Sequence, residues 1–252
     1  MNFSQLSFGF FAIKLYGTIL SIAFMISAWH YYKSLKKKQL PIDFFLHHFW
    51  RWLMGAFFGG RIIALILEPT IFVRNGLFSF FAFWDGEFHS LGMLIGFSFV
   101  LWWDMKKSGK SFFKWTDVGI LPMILGLMIA DLGGFFTGAI YGKETILPWG
   151  VQYETFGVDV LTPVHPVTIY AFFIHLWMWW WFKKRENTWE RFTGRLTVRA
   201  IMFLFLSDFV LQFFRGDETI IIFQVFRVEQ VLDVLLLSIL FWWNKKRVMS
   251  DT

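Results

Sequence analysis

The 252-residue sequence predicts an all-α integral membrane protein, a seven-span helical bundle with its N-terminus outside and its C-terminus in the cytoplasm. Three observations lead there. The chain is 56% hydrophobic and 22% aromatic with only 17% charged residues, too little polar surface for a soluble domain of this length. Long apolar blocks recur along the whole sequence. The basic residues gather beside every second block, as the positive-inside rule requires.

The spans fall at about 8–32, 44–67, 88–103, 115–136, 164–182, 197–214 and 228–243. The first lacks a basic n-region and is expected to be a retained helix, not a cleaved signal peptide. Lys33, Lys36, Lys37 and Lys38 follow it. The third span is short against the roughly 20 residues a bilayer needs, and Lys106, Lys107, Lys110 and Lys114 follow it. The fifth ends in "WMWWW" (177–181), an aromatic belt, then Lys183, Lys184, Arg185, Arg191 and Arg195. Lys245, Lys246 and Arg247 follow the seventh. These four clusters hold most of the 24 Lys and Arg residues. Together they fix the cytoplasmic side. The outer segments 68–87, 137–163 and 215–227 are rich in Gly, Pro, aromatic and acidic residues and are expected at the interface. No linker, repeat or soluble module stands out, so residues 1–252 are expected to form a single polytopic domain.

The composition also excludes functions. There is no cysteine, hence no disulfide and no thiolate of the chain's own. The net charge of +6 is explained by the membrane clusters, and no nucleic-acid module, phosphate loop or nucleophile elbow is present. No spacing calls for a cofactor or metal. His89 lies near Glu87 and Asp85 in "FWDGEFHSLG", a spacing that does not define a metal site. His47 and His48 diverge on a helix. His30 and His175, near span ends, read as interfacial or structural.

Ionisable residues inside the spans are the chemical signal. Each costs about 2.5–3.5 kcal/mol at mid-membrane on insertion scales and therefore faces protein or water. Arg51 and Arg61 lie in the second span, Asp131 in the fourth, Asp208 in the sixth, and Glu229 and Asp233 in the seventh; Lys14 and Tyr16 lie near the outer end of the first. Helical spacing puts Asp208, Gln212 and Arg215 on one face, and Glu229 and Asp233 on another. Two readings follow: a polar intramembrane cavity, or structural ion pairs.

Several strings, read in order, carry a resemblance: "FAIKLYG" (11–17), "GGRIIALIL" (59–67), "DGEFHSLGMLIG" (85–96), "GFFTGAIYGKETILPWGVQY" (134–153), "HPVTIY" (165–170) and "QFFRGDE" (212–218). Over roughly residues 8 to 243 the chain resembles the prolipoprotein diacylglyceryl transferases of the bacterial inner membrane. The resemblance implies their seven-span fold and their outside N-terminus. It implies their partners too: a membrane phospholipid, and a lipoprotein precursor or another membrane protein. Those enzymes move a diacylglyceryl group from phosphatidylglycerol to a lipobox thiol. The thiol must lose a proton and the leaving phosphate needs cationic partners.

The sequence departs from that family at the residues that matter. The family reads Arg-x-Gly-Asn-Phe-x-Asn-Gly-Glu, then a Gly three residues on. Here Asp131, Gly133, Gly134, Phe135, Thr137, Gly138, Ala139 and Gly142 occupy those places. The family's His-Gly-Gly falls on Leu91, Gly92 and Met93, and its sixth-span Arg and Glu on Asp208 and Gln212. Tyr16, Arg61, Gly142, His165, Pro166, Tyr170 and Arg215 are kept. Two switches from base to acid change the local charge by about four units at ordinary pKa values.

Three functions are therefore expected to compete. One is a lipid- or partner-binding relative without the usual transfer, its cavity lined by Tyr16, Arg61, Asp131, His165, Tyr170, Asp208, Gln212 and Arg215. Another is an active transferase in which His89 and Glu87 stand in as catalytic groups. The third is an ion-coupled transporter using the buried acids. For the first, a head group bearing an amine that meets Asp131 or Asp208 suits the altered charge better than phosphatidylglycerol.

Overall fold

The computed structural model describes residues 5–8, 11–67, 69–70, 76, 81, 88–153, 162–186, 193–216, 221–222 and 226–250. Among these are seven helices: α1 (Leu15–Lys37), α2 (Ile42–Leu67), α3 (Ser90–Lys107), α4 (Phe112–Thr137), α5 (Val167–Arg185), α6 (Arg195–Leu211) and α7 (Val228–Ser250). Each answers to one expected span. Two short antiparallel ribbons accompany them, β1 (Gln5–Phe8) with β2 (Phe11–Lys14) and β3 (Ile221–Ile222) with β4 (Phe226–Arg227). By length and composition, α2 and α4 are apolar enough to cross a membrane. Large apolar side chains such as Met25, Trp29, Ile66, Phe99, Phe173, Ile239 and Trp242 are exposed, the arrangement a lipid solvent favours over water.

The start of the first span needs correction. The span was expected to start at about residue 8, but Gln5 pairs with Lys14 and Phe8 with Phe11 as antiparallel strands, and α1 begins only at Leu15. A short apolar run carries no period that separates strand from helix.

The chain divides into two compact units, residues 32–115 and residues 1–31 with 116–252. In the first, α2 and α3 pack through glycines at four-residue spacing. A Cβ on Gly59 would lie 2.8 Å from Gly96 Cα, and one on Gly55 would lie 2.7 Å from Gly96 O. Bare backbones let the two helices approach closely, the small-residue packing that serves where lipid removes the hydrophobic drive. Asp104 is buried in this unit, accepting from Trp52 Nε1 at 3.0 Å and pairing with Arg51 at 3.1 Å. Arg61 is fully buried, its guanidinium 5.7 Å from the centre of the Phe88 ring.

The second unit has its core among α4, α5 and α6. Ile120, Leu121 and Ile124 of α4 meet Met178 and Phe182 of α5, and Leu196 and Ala200 of α6. The start of α6 is held by one carboxylate. Asp117 accepts from Gly194 N and Thr197 N, each at 2.9 Å, and from Thr197 Oγ1 at 2.5 Å. It thereby satisfies amides that a helix N-terminus otherwise leaves open and complements the helix dipole. At the far end of α5, Lys184 Nζ sits 3.8 Å over Trp180 and the Arg185 guanidinium 4.2 Å over Trp181. The expected aromatic belt is thus tied to its basic cluster by cation–π contacts.

Candidate functional site

Backbone pairing at the ends of α4, α5 and α6 assembles the site. Lys143 N bonds Phe214 O at 2.8 Å, Gly216 N bonds Tyr141 O at 3.1 Å, and His165 N bonds Lys143 O at 3.0 Å. Gly142 bridges Arg215. Only glycine fits at 142, because a Cβ there would collide with the His165 carbonyl. The retained Gly142, His165 and Arg215, far apart in sequence, are thereby fixed side by side.

His165 and Tyr170 form the polar rim. Trp149 Nε1 donates to Tyr170 Oη at 2.8 Å, and Tyr170 Oη lies 3.2 Å from His165 Nδ1. An indole can only donate, so the phenol accepts from it. Phe214 packs edge-on against both rings.

Deeper in, Asp131 Oδ2 meets His175 Nδ1 at 2.6 Å, with the two side chains 15% and 11% exposed. The pair joins α4 to α5. His175 lies on the buried stripe Thr168, Ala171, His175, Met178 and Phe182 of α5; the expectation of an interfacial or structural residue missed its partner, 44 positions away. No other polar partner of His175 occurs among the described residues. The charges of Asp131 and Arg215 both reach the Tyr16 phenol, which brings Tyr16 into the same cluster. A Cβ on Gly134 would lie 2.9 Å from Thr168 Cγ2 and 3.8 Å from the Tyr16 ring. A glycine under a crowded neighbour thus stands where the resemblance implies an asparagine. Beside it the Tyr153 and Thr168 hydroxyls approach one another, yet both oxygens are buried without completing a hydrogen bond. Burial pushes the Tyr153 phenol up to about 12, so it stays a donor at neutral pH.

The third group sits where α6 packs on α7. Gln212 Nε2 donates to Asp208 Oδ2 at 3.2 Å, the expected four-residue step. Asp208 and Glu229 lie near enough to Asp233 for their charges to act on its carboxyl. Gln212 Oε1 and Asp233 Oδ2 are buried and lack a donor. Arg215 does not continue the α6 face, because α6 ends at Leu211 and Arg215 follows in the bridge to Gly142. Sequence reasoning passed over Arg227, which is buried, pairs with Glu229 at 3.9 Å and donates to Arg215 O at 3.3 Å. Its place between an outer segment and a span hid it.

Of the expected site residues, Tyr16, Asp131, His165, Tyr170, Asp208, Gln212 and Arg215 belong to the same unit, and Arg61 and His89 to the other. His89 precedes α3 and its amide bonds Gly60 O at 3.1 Å. Glu87 lies outside the described residues, as does the Lys14 side chain. No group of three metal-ligating side chains occurs among the described residues.

Apolar helices that gather buried carboxyls, histidines and amides near one set of ends fit a helical membrane protein. A family model for prolipoprotein diacylglyceryl transferase matches residues 4–244, and the chain belongs to that family. It is similar to the phosphatidylglycerol–prolipoprotein diacylglyceryl transferase of Legionella pneumophila strain Corby, at 28% identity over 97% of this chain and 98% of the relative. It also resembles the enzymes of that name from Pseudomonas fluorescens. The Pf-5 enzyme is 28% identical over 62% of this chain and 60% of its own length. The SBW25 enzyme is 32% identical over 48% of this chain and 45% of its own.

Proposed function

We propose that this chain is a divergent prolipoprotein diacylglyceryl transferase-like protein of the bacterial inner membrane. It crosses the membrane seven times as one polytopic domain, with the N-terminus outside. It holds a phospholipid, or a lipidated partner such as a lipoprotein precursor or another membrane protein, in its polar site without the usual transfer. The observation that carries this is the company of the two substituted acids. Asp131 is engaged by His175 and Asp208 by Gln212 and Asp233. Neither is paired with an arginine or lysine among the described residues. An anionic head group approaching them meets like charge in a weakly screening interior. The glutamate and asparagines that the resemblance assigns to the chemistry are replaced by Ala139, Gly134 and Thr137. The test is complementation of a bacterium depleted of its own transferase. Expression of this chain leaves lipoprotein maturation blocked; rescue of growth and of lipoprotein processing overturns the reading.

A second reading, an active transferase with relocated groups, draws on one observation. A histidine held by a carboxylate at 2.6 Å is an oriented proton acceptor of the kind a thiol nucleophile requires. On that reading His175, not His89 with Glu87, takes the proton. Rescue lost in His175→Gln but kept in His89→Gln would select it.

A further inference from the structure

We propose that the turn 145–150 is a lipid anchor that enters the head-group layer of the outer leaflet, with Ile146, Leu147 and Trp149 against lipid. The inference rests on the reading of this chain as a membrane protein and holds whether or not the site transfers a diacylglyceryl group.

The turn is built to hold apolar side chains outward. Thr145 N bonds Pro163 O at 2.8 Å, and Val151 and Val164 exchange N–H···O bonds at 3.0 and 2.9 Å, closing its base. Gly150 N bonds Leu147 O at 2.9 Å across Pro148 and Trp149, and Leu147 N bonds Thr145 Oγ1 at 3.2 Å. A Cβ on Gly150 would lie 2.9 Å from Thr145 Cγ2 and 3.0 Å from Pro163 Cβ, so the turn is packed tightly on its own stem. Yet its tip is bare. Ile146 is fully exposed, Trp149 is 55% exposed and Leu147 38%. A contiguous exposed apolar patch calls for a cover, and here it is an unbroken Ile-Leu-Pro-Trp. The backbone suits a water-poor layer, because the amides of Thr145, Leu147, Gly150 and Val151 are bonded and Pro148 has none to satisfy.

Depth points to lipid as the occupant. The last turn of α5 carries Lys183, Lys184 and Arg185, so its start is the outer end. Its 19 residues span about 28 Å at 1.5 Å per residue, close to the roughly 30 Å of a hydrocarbon core. Trp149 Nε1 donates at 2.8 Å to Tyr170, the fourth residue of α5, whose side chain slants back toward the helix start. The indole therefore lies level with the outer end of the span. That is the depth at which Trp and Tyr gather, the ring in lipid and the polar edge bonded. Phe214, whose carbonyl bonds Lys143 N at the foot of the turn, is exposed as well. Four residues on one turn offer far less than the about 800 Å² that a stable protein interface buries on each side, which argues against a protein partner.

The experiment uses the absence of cysteine from the chain. A nitroxide label is attached to Ile146→Cys in the full-length protein, reconstituted in vesicles of phosphatidylethanolamine and phosphatidylglycerol. Power-saturation electron paramagnetic resonance compares collisions with oxygen, which concentrates in lipid, against those with a water-soluble nickel chelate. Ile239→Cys, at an exposed apolar position of α7, is the lipid reference. Ser108→Cys, exposed between α3 and α4, is the aqueous one. The oxygen-to-nickel ratio at position 146 is expected severalfold above that at 108 and toward that at 239. A ratio equal to that at 108 leaves the turn in water and overturns the proposal. A label immobilised and closed to both reagents puts protein against the turn and overturns it in favour of a protein partner. An aqueous ratio at 239 as well overturns the membrane reading together with the proposal. Leu147→Cys repeats the measurement one residue on, and decides alone should Ile146→Cys not fold.

Discussion

Replacing Asp131 and His175 singly and together asks whether their hydrogen bond joins α4 to α5. The contact is 2.6 Å long, with side chains 15% and 11% exposed, so solvent screens it little. Removing one member of a buried hydrogen-bonded pair leaves the other unsatisfied, which costs about 1–3 kcal/mol and more for a charged group. A hydrogen bond to a charged group contributes about 1.5–3 kcal/mol net. Asp131→Leu and His175→Leu should therefore each destabilise by about 3 kcal/mol, while the double substitution should cost well under their sum. The coupling energy expected is about 2 kcal/mol. Asp131→Asn, which can still bond the imidazole, should cost less than Asp131→Leu. Equilibrium unfolding in mixed micelles, titrated with denaturing detergent, measures all four corners of the cycle. Additivity within about 0.5 kcal/mol would show that the two side chains do not interact and would refute the role given to His175.

Other outcomes follow from the same geometry. Asp117→Ala removes three hydrogen bonds at the start of α6 and should cost about 1–2 kcal/mol, the usual effect of losing a cap, read as a fall in thermal midpoint; Asp117→Asn should lose less. Gly59→Leu should destabilise by at least about 1–3 kcal/mol through overpacking, since its Cβ already meets Gly96 Cα at 2.8 Å. Gly17→Ala, with nothing within 4 Å, should be neutral or mildly stabilising in the same assay. Reporter fusions after Lys38, Lys110 and Arg191 should all read as cytoplasmic; one periplasmic result breaks the topology.

Much of the helix pattern was legible because lipid makes the signal simple: apolar length and flanking Lys and Arg. The six spans after the first each met a helix, five of them within about four residues at each end and the seventh exceeded by seven, its helix running to Ser250. The first span failed at its start, where hydrophobicity alone could not separate the strand at 11–14 from a helix. Contacts local in sequence were also legible. Gln212 reaches Asp208 one turn away, and Glu229 shares a face with Asp233. What the sequence concealed were pairings between helices. Nothing in its periodicity marks His175 as the partner of Asp131, or Asp233 as the neighbour of Asp208, because the rotation of one helix against another is set by packing. Gly134, Thr168 and the glycines between α2 and α3 belong to the same class: their meaning lies in a neighbour some 35 residues away. Arg215 fell on the expected face only by extending α6 beyond Leu211, where the backbone instead turns to pair with Gly142.

The central claim is that the scaffold of a transferase family persists here while its chemistry does not. Direct transfer is the measurement to make. Purified protein is mixed with phosphatidylglycerol carrying a labelled diacylglyceryl group and a synthetic lipobox peptide, with the Legionella relative run in parallel. The account predicts label on the peptide for the relative and none above the enzyme-free control for this chain. Peptide labelled by this chain at a rate comparable to the relative's would contradict it.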